Sequence, residues 1–205
     1  MARKKALPNP DLIRYYQLKI SLSDCPLPIW RRMVMRADLP LQLVSEMFQC
    51  VMGWSGAHGH LFQAGGKLYS DEVEGSAKML DETEYELGQL LKEAGEELVY
   101  IYDHGDEWRH RVVLEAIEGA EASFTARCLI GKRACPPEDV GGVVGYAEFL
   151  EVIEDPEHDE WLDKIEWLGC EFDPDSFDAR LANLRIELIE QSLATFAEGL
   201  VTAGE

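Results

Sequence analysis

The sequence predicts an α+β fold: a largely antiparallel sheet crossed by one early helix, with helices gathered in the C-terminal third. Three observations carry this. Short segments that alternate apolar and polar side chains dominate the chain up to residue 130. One 3-4-3-4 apolar stripe interrupts them soon after residue 40. Beyond residue 145 the alternation gives way to helical spacing. The early strand–strand–helix–strand–strand order also suits a β-grasp-like core.

Arg14–Leu22 sets Tyr16, Leu18, Ile20 and Leu22 on one side and Gln17, Lys19 and Ser21 on the other, the pattern of a half-buried strand. Ile29–Arg36 follows as a second strand, with arginine stems packed over apolar neighbours and their heads in water or on carboxylates. Pro40 suits the first position of a helix. Leu43, Val44, Met47, Phe48 and Val51 form its stripe, and Gly53 is a natural stop. Trp54–Tyr69 reads as a loop running into a short strand, with a turn at Gly65-Gly66. Residues 71–86 are acidic and weakly patterned, an expected exposed connection, and Leu87–Glu93 reads as a short helix.

Glu97–Tyr102 and Trp108–Glu118 flank the polar turn Asp103-His104-Gly105-Asp106-Glu107, the clearest hairpin in the chain. Phe124–Ile130 adds a strand, and Gly131–Gly145 is a loop rich in glycine and proline. Tyr146, Phe149, Leu150 and Ile153 then share a helix face. Asp155-Pro156 and Asp173-Pro174 each read as an N-cap followed by a first-turn proline, the second with Phe172 and Phe177 in staple positions. The last helix aligns Leu181, Leu184 and Leu188 and runs towards Phe196. The expected organisation is a disordered leader over 1–13, one domain over 14–185 and a C-terminal helical extension over 186–205.

The 205 residues hold 19 Lys and Arg against 39 Asp and Glu, a net charge of −20, which argues against a nucleic-acid-coating role. The charge is uneven: residues 1–70 carry 9 basic and 4 acidic side chains, residues 138–205 carry 3 and 19. No apolar run approaches the roughly 20 residues of a membrane span, so no membrane partner is expected. Five widely spaced cysteines, an odd number without a C-x-x-C pair, predict neither a disulfide framework nor a zinc ribbon. Reduced thiols in a cytoplasmic protein are the expectation.

A set of pieces then occurs in order: Tyr16-Gln-Leu-Lys-Ile20, Pro28-Ile-Trp-Arg-Arg32, Met52-Gly-Trp54 and His60-Leu61. Tyr100-Ile-Tyr-Asp103 follows, with Gly105-Asp106, Trp108 and His110, and then Gly131-Lys-Arg-Ala-Cys-Pro-Pro-Glu-Asp139 with Gly141-Gly142. Trp167-Leu-Gly169, Phe172-Asp-Pro174, Phe177-Asp178 and Asn183 complete it. On these residues the chain resembles the plasmid pRiA4b ORF-3-like family over about residues 14–185. The resemblance implies a single fold family and a link to plasmid or mobile-element biology, and it names no reaction.

Two constellations carry candidate chemistry. Asp103, Asp106 and Glu107 on the hairpin turn offer carboxylates to a hard divalent cation, with His110 behind them as a candidate base. Glu138 and Asp139, in the proline-glycine loop, extend that set, and Gly141 and Gly142 open a helix whose N–H groups suit an anion. His58 and His60 form a weaker pair of imidazoles. Arg31, Arg32, Trp108, Arg109 and Arg111 are candidate binding residues. No Walker, Gly-x-Ser-x-Gly, His-Glu-x-x-His or Gly-x-Gly-x-x-Gly motif occurs. The leading expectation is a non-enzymatic interaction module with a protein partner. The alternative is a divalent-metal-dependent enzyme acting on a phosphoester, and the third reading is a nucleic-acid-binding accessory protein. The metal reading requires the two acidic loops to converge.

Overall fold

The computed structural model describes residues 12–71 and 79–202, with side chains of the last helix to residue 195. The leader expected over 1–13 thus lies almost wholly outside the described residues. Eight strands form one sheet: β1 Ile13–Leu22, β2 Trp30–Arg36, β3 His60–Ala64, β4 Lys67–Ser70, β5 Met79–Asp81, β6 Glu97–Tyr102, β7 Trp108–Ala120 and β8 Ala126–Lys132. Their order is β5-β4-β3-β6-β7-β1-β2-β8. Every neighbouring pair is antiparallel except β4–β5. The fold is α+β, and its central β1–β7 pair is antiparallel, unlike the parallel central pair of a β-grasp core.

The helices are α1 Leu41–Met52, the single turn α2 Leu87–Leu90, α3 Gly142–Glu154, α4 Trp161–Leu168 and α5 Ala179–Thr202. Alternation decides which side of the sheet they cover. Tyr16, Leu18, Ile20, Arg31, Met33, Met35, Trp108, His110, Val112 and Leu114 are buried, while the residues between them are half-buried or exposed. Helix α1 packs Phe48 against Phe62 and Tyr100, and α3 sets Tyr146 edge-on to Trp108, all on that covered side. The other face of the central strands carries no helix among the described residues.

Pro40 stands one position before α1, at its N-cap, and Gly53 closes the helix in the left-handed region at φ 118°, its N–H donating to the Gln49 carbonyl. The acidic stretch after residue 71 is not simply an exposed connection. Residues 72–78 lie outside the described set, but Met79–Asp81 is a strand and Glu82 is fully buried. Asp155 and Asp173 also depart from the expected capping. Each accepts the N–H two residues on, from Glu157 and Asp175, forming turns rather than helix starts. Helix α4 begins only at Trp161. The cap of α5 is Asp178, which accepts the Arg180 N–H.

Helix α5 runs unbroken past residue 185 and buries Ala182 and Ile186. Leu181, Leu184 and Leu188 lie on its outer side, with Leu188 65% exposed. The aligned leucines therefore face solvent, not the core. Asn183 accepts the Cys128 N–H and donates to the Cys128 carbonyl, holding the outer edge of β8. All five cysteines are free.

Candidate metal centre

Three loops meet at the turn end of the β6–β7 hairpin. The first, after α1, is pinned by Trp54, which stacks on Tyr102 at 5.0 Å between ring centroids. Its Ser55 donates both its backbone N–H and its hydroxyl to Glu138 Oε1, and the Gly59 carbonyl accepts the Asp103 N–H. His58 projects between these anchors, edge-on to Tyr102.

The second loop is the hairpin turn. Asp103 is 6% exposed and sits in the left-handed region at φ 61°. Its Oδ1 accepts the N–H groups of Gly105 and Asp106, which leaves Oδ2 facing His58 Nδ1 at 3.7 Å. Asp139, on the third loop, shares the left-handed backbone at φ 57°. Aspartate tolerates that region better than most residues, and such backbone tends to collect at functional sites.

The hairpin and the third loop are held together by Asp106, whose Oδ2 accepts the Gly141 N–H. Gly142 has φ 67°, and a Cβ there would meet the Asp106 carbonyl oxygen at 2.8 Å. Only glycine permits so close a passage, which brings Asp139 to the mouth of the hairpin.

His58 is the hub. Its Nε2 lies 3.3 Å from Asp139 Oδ1 and 3.7 Å from Glu138 Oε2, while Nδ1 faces Asp103. Ligand atoms of His58, Asp103 and Asp139 all lie within 4.8 Å of one another. In a tetrahedral site with bonds of about 2.1 Å the ligands stand about 3.4 Å apart, so side chains would have to rotate inward to close the set. Glu138 supplies an independent sign. Its Oε1 takes three hydrogen bonds, from Ser55 twice and from the Tyr102 hydroxyl at 3.0 Å, while its buried Oε2 has none. Burial and the neighbouring Glu138 push the Tyr102 hydroxyl up to about 12, so it remains a donor. His58 Nε2, Glu138 and Asp139 could hold a divalent cation, with Asp103 Oδ2 3.7 Å from Nδ1 on the other side of the ring, the place where carboxylates stand behind metal-bound histidines.

Of the carboxylates expected from sequence, the structure gathers Asp103, Glu138 and Asp139. Asp106 instead ties two loops together, and Glu107 is exposed beside Arg109. His110 is not behind the turn carboxylates. It is fully buried, with Nδ1 donating to the Tyr100 carbonyl and Nε2 accepting from Trp54, and burial lowers its pKa to about 4. It is thus unavailable as a base for a ligand at the loops. Gly141 and Gly142 shape the loop, and the Asp106 carboxylate takes the Gly141 N–H that an anion would need.

Among the candidate binding residues, Arg31 and Trp108 are core residues, 1% and 0% exposed. Arg32, Arg109 and Arg111 lie on the open sheet face, Arg32 forked onto Glu115 and Arg111 paired with Glu97. Burial raises the pKa of the Cys135 thiol well above the ordinary value, which disfavours the thiolate that a nucleophile needs.

Sequence reasoning missed the roles of His58, Ser55 and Tyr102. It paired His58 with His60, but His60 turns inward to the buried Glu82, 2.9 Å away. The local signal was a histidine between Gly56 and Gly59.

Comparison with known proteins bears on the whole domain. The model of the family described as plasmid pRiA4b ORF-3-like protein matches residues 14–181. The chain is 32% identical over 171 residues to y4hQ, an uncharacterized protein of Sinorhizobium fredii, covering 82% of this chain and 87% of that one. The crystal structure of MM3350, a protein of unknown function from Methanosarcina mazei, superimposes with a TM-score of 0.74 at 35% identity. That match covers 82% of this chain and 97% of the other.

Proposed function

We propose, from the premise that the chain belongs to the plasmid pRiA4b ORF-3-like protein family, that its working centre is a divalent cation held by His58, Glu138 and Asp139. The observation that supports this reading is the convergence of one imidazole and three carboxylates from three separate loops on a space a few ångströms wide. An imidazole with carboxylates suits zinc or manganese better than calcium. When bound, the ion would polarise a phosphoryl oxygen or activate water. This chain's own residues set the Asp103 carboxylate 3.7 Å from His58 Nδ1 and keep the Glu138 carboxylate in place through Ser55 and Tyr102. A groove of about 460 Å³ opens beside Asp139, walled by Glu160, Asp163, Lys164 and Trp167. Its carboxylates outnumber Lys164, so a phosphoester would depend on the cation to offset their charge, and phosphoester hydrolysis is the reaction class of this reading.

The test is the melting temperature of EDTA-treated protein with Mg²⁺, Mn²⁺, Ca²⁺ or Zn²⁺ added singly. An ion at 100 times its Kd adds about 2.7 kcal/mol, a rise of roughly 5–11 °C for a domain of this size. The rise should vanish in E138Q/D139N and shrink in G142A. No rise with any ion sinks the reading. A rise that survives the double variant places the ion elsewhere and sinks it equally. A positive result leads to phosphomonoester and phosphodiester turnover assays.

A second reading, a non-enzymatic interaction module, is favoured by one observation: Leu181, Leu184 and Leu188 form an exposed apolar stripe along α5. The link to plasmid or mobile-element biology belongs to this second reading, as does a cytoplasmic setting for the free thiols. No helix of the described residues is long and apolar enough to cross a membrane.

A further inference from the structure

The open face of the sheet has a charge opposite to that of the chain. Strand register places its side chains in rows across β7, β1, β2 and β8. One row runs Arg111, Ser21, Trp30 and Lys132, and the next runs Val113, Lys19, Arg32 and Ile130. Arg127 stands opposite Val34 on the same face, and Arg109 opposite Ile101. With Arg36, which stands opposite Tyr15 as Glu118 does on the other side, seven cations share this face, against Glu97, Glu115 and Glu118 within it, Glu107 at its hairpin end and Asp38 paired with Arg36. Lys19 and Arg127 form no ion pair among the described residues, although Lys19 is near enough to Glu115 to help hold its carboxyl down. They lie instead over the rings of Trp30 and Phe124, at 5.3 and 4.7 Å. Trp30 is half-buried at the centre, with Arg32 5.6 Å from its ring on the same platform.

From this arrangement we propose that the open sheet face binds single-stranded nucleic acid, with Lys19, Arg32, Arg111, Arg127 and Lys132 taking phosphates and Trp30 stacking a base. Phosphate contacts and aromatic stacking on an exposed sheet are how sequence-tolerant single-strand sites work. Arg32 and Arg111 present guanidinium forks already engaged with carboxylates, and phosphate oxygens offer the same bidentate geometry. The four strands span about 14 Å, enough for a few nucleotides and too narrow for a duplex. The net charge of −20 sets the limits of the site. A polyanion is repelled over the acidic C-terminal third and meets net positive charge on this face, which favours a short strand over a long or double-stranded one. The site shares no residue with the cation cluster, so the two readings stand or fall separately.

The experiment is fluorescence anisotropy of labelled 12-mers of oligo-dT and oligo-rU with the full chain in EDTA, from 20 to 300 mM salt. Binding should weaken with a log–log slope of about −2 to −3, the signature of three or four phosphate contacts on a single strand. The double variant K19E/R127E should lose at least ten-fold in affinity. W30L should lose five-fold or more, the loss of one stacked base. R111E, at a well exposed position, serves as the charge variant if K19E/R127E melts early. Absence of binding at 20 mM salt overturns the proposal. So does binding unmoved by these variants, as would arise from basic residues elsewhere in the chain. A poly-glutamate peptide that competes as well as the oligonucleotide also overturns it, and assigns the face to an acidic protein.

Discussion

On the covered face of the sheet, Arg31 gives its guanidinium to the carbonyls of Val51, Met52, Trp30 and Lys132 and lies 4.0 Å from the Phe177 ring. On the open face, one residue along, Arg32 forks onto Glu115 with both partners in contact with water. The two side chains are chemically identical, and strand parity alone sends them to opposite faces. Inside, four carbonyls surround the charge, two of them the unpaired C-terminal groups of α1, where the helix dipole favours a cation. Burial lowers the pKa of Arg31, so those carbonyls are what keep it charged. Outside, a single carboxylate suffices because water carries the rest. The covered face uses its polar groups to join elements, and the open face leaves its polar groups available.

The comparison breaks most visibly at Arg31. In R31M the Val51, Met52 and Lys132 carbonyls lose their donor, and unpaired buried groups cost roughly 1–3 kcal/mol each. A loss of at least about 3 kcal/mol is expected, or a fall in melting temperature of about 6 °C or more. A variant that melts within 2 °C or so of the parent would mean that water reaches those carbonyls. His110, also on the covered face, sharpens the contrast through pH. Its pKa falls from the ordinary 6.5 to about 4 on burial. Between those values the unfolded chain takes up a proton that the fold refuses, so stability is lost as pH falls, by about 3 kcal/mol at pH 4. In H110Q the dependence of unfolding free energy on pH between 6.5 and 4 should flatten by one proton, and an unchanged slope would refute the burial argument. The smallest effect is on the open face. R32A should cost less than about 1 kcal/mol near neutral pH. The Glu115 carboxyl is held below its usual range by Arg32, so the pair contributes above that range and its contribution is lost on acidification. Urea titrations at pH 7 and pH 3 should show the R32A difference shrinking, and a difference that grows would reverse the assignment.

What was legible in the sequence was local. Alternation in Tyr16–Leu22 and Trp108–Leu114, the stripe of α1 and the Gly53 stop are set by neighbours a few residues apart, and the structure shows each of them. The Asp-Pro pairs at 155 and 173 misled because an Asx turn and an N-cap use the same carboxylate–amide bond, and only the following backbone separates them. The leucines of α5 are a different case. Spacing shows that they share a face without showing which face, and the smaller Ala182 packs inward in their place. The candidate centre was half legible. Acidic loops announced Asp103 and Asp139, whereas His58 reaches Asp139 across 81 positions of chain, and no local pattern encodes such a meeting.

Asn183 invites a last consequence, concerning the order in which the chain is made. Its carboxamide offers β8 one acceptor and one donor, the same pair that a residue of a ninth strand would supply. A single side chain thus impersonates a neighbouring strand, and the sheet cannot be extended there by another copy. That seal comes from 55 residues downstream of the backbone it protects. On the ribosome, β8 emerges and can pair with β2 well before Asn183 exists, and for that interval its outer edge stands open. The helix that ends the described chain therefore both closes that edge and caps the core with Ala182 and Ile186, so losing it would uncover an edge and an apolar surface together.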